Sequence, residues 1–363
     1  MLRYYIYFWT MRILLLPFAW IYGWIIRLRN VAFDWGILKQ TSFDLPIICI
    51  GNLTTGGTGK SPMTLYLAGI LSEKYKVAIL SRGYGRESKG FKWVNKESLA
   101  REVGDEPLQY ANSNLPLMVA VCESRVEGIR KILSAPDVPD LILLDDAFQH
   151  RWVKAGFNIL LSDFNVPFYK DYLLPAGNLR EPISSLNRAD VVVVTKCPFD
   201  LSENHQVEIA QRMKLSTNQS LHFSYIHYRD TLPGMISGEL HLNALKNYSV
   251  FLFCGIAQPV PLIQFLEKNT SSLKTRVFPD HHAFSVGDAI QLKNEYLNLK
   301  KNHPVVLLTT RKDLMRIMSK EIQYHLKELP VFILDIEPMF IDTAAVSFNE
   351  SVFAYMNEKL KGI

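Results

Sequence analysis

Residues 46–62 read Pro46-Ile47-Ile48-Cys49-Ile50-Gly51-Asn52-Leu53-Thr54-Thr55-Gly56-Gly57-Thr58-Gly59-Lys60-Ser61-Pro62. An apolar run enters a glycine-rich turn that ends in Gly-Lys-Ser, the local architecture of a phosphate cradle. Small residues let successive backbone N–H groups turn inward on an anion, and a helix starting near Gly59 aims its positive dipole end at the same spot. Lys60 adds a mobile charge, and the Ser61 hydroxyl suits a magnesium ion. Counting back from Gly59-Lys60-Ser61 puts Thr54 where the P-loop pattern has its first glycine, so Gly56 and Gly57 supply the flexibility of the turn. Thr54, Thr55, Gly56, Gly57, Thr58, Gly59, Lys60 and Ser61 are the expected nucleotide-binding loop.

Downstream, Met63–Leu71 reads as a helix, and short apolar runs recur at Val77–Leu80, Leu115–Val121, Leu141–Leu144, Asn158–Leu161 and Val191–Val194. Strands buried on both faces read this way, which predicts an α/β core with a mostly parallel sheet wrapped by helices. Polar residues follow several runs: Ser81-Arg82-Gly83, Asp145-Asp146 and Thr195-Lys196. Ligands of open α/β sheets bind at the carboxyl edge, so these ends are expected to share one crevice. Residues 31–222 form the expected nucleotide-binding domain. The stretch 223–245, aromatic-rich with turn signals at Pro233-Gly234 and Ser237-Gly238, reads as a linker. Strands at Val250–Cys254, Val305–Thr309 and Val331–Leu334, with helices near Pro261–Lys268 and Val286–Leu299, predict a smaller α/β domain over 246–363.

Residues 1–30 are dominated by aromatic and aliphatic side chains, with Arg3, Arg12, Arg27 and Arg29 as their only charges. Fourteen uncharged residues separate Arg12 from Arg27, and Pro17 and Gly23 interrupt them. Spanning a bilayer takes about 20 apolar residues in a helix. An interfacial segment is therefore expected, with arginines reaching lipid phosphates and Trp9, Trp20, Tyr22 and Trp24 at headgroup depth. No small-x-small cleavage site of a signal peptide follows.

Composition bounds the partners. In 363 residues, 40 Lys and Arg against 35 Asp and Glu give a net charge of +5, too little to argue for nucleic acid and compatible with an anionic substrate or a membrane surface. Nothing in the sequence calls for an obligate protein partner. Cys49, Cys122, Cys197 and Cys254 form no CxxC pair and read as buried thiols in a reducing compartment.

Asp145 and Asp146 stand where P-loop proteins carry a magnesium-holding acid at a strand end. Gly104-Asp105-Glu106-Pro107 brings two further carboxylates into a turn, where one could accept the proton of a hydroxyl being phosphorylated. Phe278-Pro279-Asp280-His281-His282-Ala283-Phe284 clusters titratable groups in the second domain, and histidine is a natural proton acceptor near neutral pH. Two loops, Ser81–Arg86 and Leu173–Pro182, set arginines beside glycines, which leaves guanidinium groups free to fork onto phosphate.

In this order the segments resemble the tetraacyldisaccharide 4′-kinase (LpxK) family: GNLTTGGTGKSP at 51–62, SRGYGR at 81–86, GDEP at 104–107, DDAFQHR at 145–151, LLPAGNLREP at 173–182 and FPDHHAFS at 278–285. The resemblance implies a P-loop kinase core, a smaller C-terminal α/β domain and an N-terminal membrane-associated helix. It also implies a location on the cytoplasmic face of the bacterial inner membrane. The implied reaction moves the γ-phosphate of ATP, with Mg2+, to the 4′-hydroxyl of a tetraacyldisaccharide 1-phosphate, giving lipid IVA. By the same resemblance, Lys60 and Ser61 hold phosphates and metal, Asp105 and His281 take the hydroxyl proton, and Glu106, Asp145 and Asp146 serve the metal site. Arg82, Asn178, Arg180 and Glu181 are expected near the disaccharide. Ala147 stands where the family has glycine, and Ser61 where threonine is usual.

A membrane-associated P-loop switch is the alternative. Such a protein needs Asn/Thr-Lys-x-Asp after a late strand, and Thr195-Lys196-Cys197-Pro198 ends in proline instead; Asp-x-x-Gly is also missing after Leu144.

Overall fold

The computed structural model describes residues 2–301, 304–341 and 344–361, with side chains from residue 12 onward. The side chains of Arg3 and Trp9, expected at a lipid surface, lie outside the described residues. The strands are β1 (Ile47–Asn52), β2 (Val77–Ser81), β3 (Lys92–Val94), β4 (Leu117–Val121), β5 (Leu141–Asp145), β6 (Phe157–Asp163), β7 (Val191–Thr195) and β8 (Ser220–Tyr228). They continue with β9 (Thr231–Pro233), β10 (Glu239–His241), β11 (Ser249–Cys254), β12 (Ser272–Val277), β13 (Val305–Thr310), β14 (Val331–Leu334) and β15 (Ile336–Phe340).

The larger sheet has nine strands in the order β15-β8-β7-β6-β1-β5-β2-β4-β3. Every pairing is parallel except at its two ends, where β3 meets β4 and β15 meets β8 antiparallel. The P-loop strand β1 is central, and its side chains alternate between two cores, as the two-residue period of a strand requires. Ile48 and Ile50 pack with Met63, Leu67 and Leu71 of the helix Lys60–Ser72. Ile47 and Cys49 face the other way, into a core shared with Ile129 and Ile132 of the helix Arg125–Leu133. Each such buried aliphatic side chain contributes about 1.5–3 kcal/mol, so β1 is fixed on both faces and its carboxyl end is a rigid base for the loop. All four cysteines are buried and unpaired, and burial pushes the Cys49 thiol up to about 12.

A second, four-stranded parallel sheet runs β12-β11-β13-β14, and β9 and β10 form a separate hairpin. The boundaries read from the sequence move here. Residues 220–228, partly assigned to a linker, are strand β8 of the large sheet, and β15 and the helix Ala344–Lys361 leave the C-terminal domain to return to it. β15 pairs with β8, and the helix Ala344–Lys361 buries Phe348, Val352 and Met356 in the core of the first sheet. Its Tyr355 hydroxyl accepts a hydrogen bond from Ile47 N at 3.0 Å, tying the last helix to the start of the P-loop strand.

The N-terminal helix Leu2–Asp34 has 33 residues, about 50 Å at the helical rise. Among the described residues no helix is long and apolar enough to cross a membrane. Leu14, Phe18, Ile21, Ile25 and Leu28, spaced by alternating four and three residues, form one exposed stripe that Ile13, Trp20 and Trp24 widen. Tyr22 departs from the expectation of headgroup contact: it points inward, and its hydroxyl donates to Arg180 O at 2.8 Å.

Candidate active site

The loop after β1 turns through Gly56 at φ +103° and Gly59 at φ +84°, left-handed conformations that glycine adopts without a steric penalty. Gly59 caps the helix Lys60–Ser72, so the first helical amides face the turn. A Cβ at Gly56 or Gly57 would meet nothing within 4 Å, which leaves room for a phosphate chain beside the backbone. The end of β7 braces the loop from behind. Thr195 Oγ1 donates to Thr58 O at 2.9 Å, while Lys196 donates to Gly57 O, to Asp163 Oδ2 at 2.7 Å and to Gln258 Oε1 at 2.9 Å. Lys196 thereby joins the P-loop to the second lobe, a role for Thr195-Lys196 that needs no guanine-reading acid.

Lys60 lies against the acid at the end of β5, with Nζ 3.6 Å from Asp146 Oδ2 and 3.4 Å from Asn52 Oδ1. Arg180 reaches the same carboxylate, donating to Asp146 Oδ1 at 2.8 Å, and also hydrogen-bonds Asn52. Burial is the strongest influence on Asp146 and would raise it, but Lys60 and Arg180 together bring it down to about 2. Asp145, one residue earlier, goes the other way. Burial, then the charges of Glu106 and Asp146, push it up to about 7. Its Oδ2 accepts from Ser81 Oγ at 3.0 Å, and its buried Oδ1 has no partner among the described residues.

Glu106 completes the acid group. Its Oε1 accepts from Ser61 Oγ at 2.7 Å and from Lys312 Nζ at 2.6 Å, and Lys312 outweighs burial to hold the carboxyl below its usual range. Between Glu106 and Asp145 sits the fully buried Tyr110, whose phenol is pushed well above its ordinary value by burial and then by those two carboxylates. The turn that delivers these acids depends on two glycines in contact: a Cβ on Gly104, at φ +91°, would stand 3.1 Å from Gly83 Cα.

Asp105 faces the second lobe. Its Oδ2 lies 3.3 Å from His281 Nδ1 and accepts from Arg316 Nε at 3.0 Å, while Oδ1 accepts from Glu106 N at 2.9 Å. Burial opposes ionisation of Asp105, yet His281, Arg316 and Lys312 hold it well below the usual carboxylate range. The hydrogen bond to Asp105 in turn raises His281. Of the two adjacent histidines, His281 faces the cleft, beside Tyr84 of the Ser81–Arg86 loop at 5.5 Å between ring centroids. His282 stacks on Phe278 and pairs with Asp288, away from it.

Two expected substrate contacts are engaged elsewhere. Glu181 is fully buried, where Arg29 of the N-terminal helix (2.8 Å) and Arg188 neutralise it; a buried carboxylate needs such partners, so it anchors the helix. Asn178 supports the P-loop, accepting from Thr55 N at its backbone carbonyl (2.8 Å) and donating its side-chain amide to Asp171. Arg82 is exposed at the rim, and its charge joins burial and Arg125 in lowering His150 to about 4. Lys312, Arg316 and Tyr110 are additions that the motifs did not announce.

A strand-loop-helix phosphate cradle, with Arg180 and the Asp146 carboxylate at its lysine and Glu106 at its serine, defines a P-loop kinase. The family model described as LpxK, tetraacyldisaccharide-1-P 4′-kinase, matches residues 11–352. The chain is 43% identical over 351 residues to the tetraacyldisaccharide 4′-kinase of Flavobacterium johnsoniae, covering 97% of this chain and 99% of that protein. It is 40% identical over 357 residues to the tetraacyldisaccharide 4′-kinase of Bacteroides thetaiotaomicron, covering 96% and 94%. The crystal structure of the "apo" form of LpxK from Aquifex aeolicus in complex with ATP shares the fold with a TM-score of 0.72 at 29% identity, over 95% of this chain and 99% of that one. The chain belongs to the tetraacyldisaccharide-1-phosphate 4′-kinase family and is an ATP-dependent kinase of lipid A biosynthesis.

Proposed function

We propose that the enzyme works at the cytoplasmic face of the bacterial inner membrane and uses Asp105 with His281 to take the proton of the acceptor 4′-hydroxyl. The observation that carries this reading is the 3.3 Å contact of Asp105 and His281 between the two lobes, beside the Ser61–Glu106 hydrogen bond at the head of the P-loop helix. The 4′-oxygen attacks the γ-phosphorus, the bond from that phosphorus to the β,γ-bridging oxygen breaks, and ADP keeps the electron pair. The hydroxyl proton passes to the Asp105–His281 pair and then to water. In so loose a transfer the protein mainly positions the reactants and balances charge. Lys60 and Arg180 serve the phosphate chain from one side of the cradle, and the Asp105 carboxylate orients the hydroxyl from the other.

Among the described residues no three His, Cys, Asp or Glu side chains form a closed metal centre. Magnesium in kinases takes only one or two carboxylates, with phosphate and water oxygens filling the rest. The unpartnered Asp145 Oδ1, the Ser61 hydroxyl and Glu106 fit that donor set, with Asp146 alongside. Bound there, the ion would neutralise charge building on the β- and γ-phosphate oxygens.

The direct test measures transfer of labelled γ-phosphate from ATP to purified tetraacyldisaccharide 1-phosphate in detergent micelles, with Lys60→Ala as the blank. Labelled lipid is expected with the wild type and at roughly a hundredth of that rate or less with the blank; its absence from the wild type while ATP still binds would point to another acceptor.

Asp145 offers a second test through pH. Its folded value of about 7 lies above the roughly 3.9 of an unfolded chain. The folded state therefore holds a proton the unfolded state releases, and that stability is lost as pH rises from about 4 to 7. Asp145→Asn is expected to remove this loss, so the nucleotide-free variant should melt higher than wild type at pH 8 but not at pH 4, while turning over more slowly. An unchanged difference in Tm between pH 4 and 8 would release Asp145 from this role.

The exposed apolar stripe supports seating of the N-terminal helix in a bilayer surface, where the acyl chains of a lipid acceptor would stay. Burying a large apolar side chain is worth about 1.5–3 kcal/mol. Replacing Trp20 and Trp24 together by glutamate is expected to weaken co-sedimentation with phosphatidylglycerol-containing vesicles by roughly a hundredfold or more. Equal sedimentation of the two proteins would remove the helix as the anchor.

A further inference from the structure

The second lobe sends two cations into the acid group of the first, both from the short helix Arg311–Arg316 that follows β13. We propose that Arg316 is a positioning residue for phosphoryl transfer: it fixes the Asp105 carboxylate and brings His281 to it. The inference rests on the reading of Asp105 and His281 given above.

Arg316 is held from its own side first. Its Nη1 donates to Gly255 O at 2.7 Å and to Asp313 Oδ1 at 2.9 Å. Asp313 is itself fully buried and locked: Oδ1 accepts from Gly255 N at 3.1 Å, and Oδ2 from Thr310 Oγ1 at 2.7 Å. These bonds would be enough to anchor a structural arginine. The remaining edge of the guanidinium is directed across the cleft instead, where Nε and Nη2 both donate to Asp105 Oδ2. The side chains of Arg316 and Asp105 are each 7% exposed, so the contact is shielded from water. Both donors of the fork converge on Oδ2 while Oδ1 is held by Glu106 N at 2.9 Å, so the carboxylate is fastened at each oxygen and its plane is set.

His281 adds the second half. Its Nδ1 stands 3.3 Å from Asp105 Oδ2 and 3.2 Å from Arg316 Nη2, so one ring nitrogen faces the carboxylate and the guanidinium together. The backbone amide of His281 donates to Gly255 O at 3.3 Å, the same carbonyl that accepts from Arg316. Gly255 thus sets the histidine and the arginine in one frame, and Asp105 is the point where the first lobe engages it. Proton acceptors work only in hydrogen-bond reach of the proton they take, and Arg316 is the group that keeps Asp105 from rotating out of that reach.

The experiment compares Arg316→Ala and Arg316→Lys with wild type and Asp105→Asn in the micellar assay, reading kcat and both KM values, with circular dichroism and Tm as controls for folding. Arg316→Ala is expected to lower kcat by about 10²-fold with KM for ATP and lipid changed by no more than about threefold, the pattern of an orienting contact. Arg316→Lys is expected to regain about tenfold, since it keeps the charge without the fork. Millimolar guanidinium ion should raise the turnover of Arg316→Ala and leave wild type unchanged, a rescue that a purely structural arginine would not give. Where Arg316→Ala fails to fold, Arg316→Gln carries the same comparison. A folded variant with wild-type kcat, or a loss confined to KM and untouched by guanidinium, overturns the proposal. Loss in Asp105→Asn alongside such a result would remove Arg316 only; wild-type turnover in Asp105→Asn would remove the underlying reading of the pair as well.

Discussion

Asp105→Asn is expected to lower kcat by about 10²–10⁴-fold, the range that a positioned proton acceptor supplies, while KM for ATP changes little. Asparagine keeps the shape and one carbonyl acceptor for Arg316, so the substitution removes charge and basicity with little loss of packing. The pH profile should move as well. The hydrogen bond that the His281 ring donates to Asp105 is the main reason His281 sits above its ordinary value. His281 accepts a proton only when neutral, so the acid limb of kcat in the wild type should lie above the usual histidine value of about 6.5. In Asp105→Asn the residual activity should show this limb at lower pH. The stability linkage has a matching sign. His281 is raised, so its share is complete below about pH 6.5 and fades as pH rises through the folded value; Asp105 is depressed, so its share is present above about pH 3.9 and fades as pH falls through its folded value. The contact is therefore strongest between those two limits. A kcat within threefold of wild type, measured with ATP and lipid both saturating, would exclude Asp105 from proton transfer.

Much of the first lobe was legible because its strands are buried on both faces. Val77–Leu80, Leu141–Leu144 and Val191–Val194 are uninterrupted apolar runs, and each lies in a strand buried throughout. Chemistry at the strand ends could be read by the same token, since Ser81, Asp145 and Thr195 terminate those strands and meet around the loop. The sheet edge was harder. β8 is buried only at its centre, and β15 carries Pro338, tolerated on an edge strand but weakening its signal. Their pairing joins residues more than a hundred positions apart, a distance over which local periodicity carries no information. The burial of Glu181 was not legible for a related reason: its place near the disaccharide is implied by the resemblance alone, while the Arg29 that pairs with it lies on the first helix, 152 positions away. Lys312 and Arg316 left a usable trace. Thr310-Arg311-Lys312-Asp313 follows an apolar run, just as Asp145-Asp146 and Thr195-Lys196 do, and the rule that ligands gather at carboxyl strand ends applies to the second sheet equally.

Lys60→Ala is expected to reduce kcat by about 10²–10³-fold, the cost of deleting one preorganised donor to charge that builds in a transition state. Lys60 Nζ rests between Asp146, Asn52 Oδ1 and the carbonyl of Gly56, on the inner side of the glycine turn. A phosphate chain entering the loop would draw the ammonium from these neutral and anionic partners to its own oxygens. Arg180 remains to pair with Asp146 in the variant, so the acid keeps a cation and the fold should be retained. That makes Lys60→Ala a cleaner probe of catalysis than Asp146→Asn, which would free two cations in the cradle at once. The variant should still bind ATP, through the loop amides and the helix end, with affinity lowered by less than kcat. With one cation gone, Asp146 should rise from about 2, because the Lys60 charge is the largest of those holding it down. The acid-side loss of stability should then begin at a higher pH than in wild type, since a depressed carboxylate stabilises the fold only above its folded value. Titrating ATP by calorimetry and following Tm from pH 2 to 5 would separate these effects. Full turnover in Lys60→Ala would mean that Arg180 alone supplies the charge for the γ-phosphoryl group, and that Lys60 only holds the empty loop in shape.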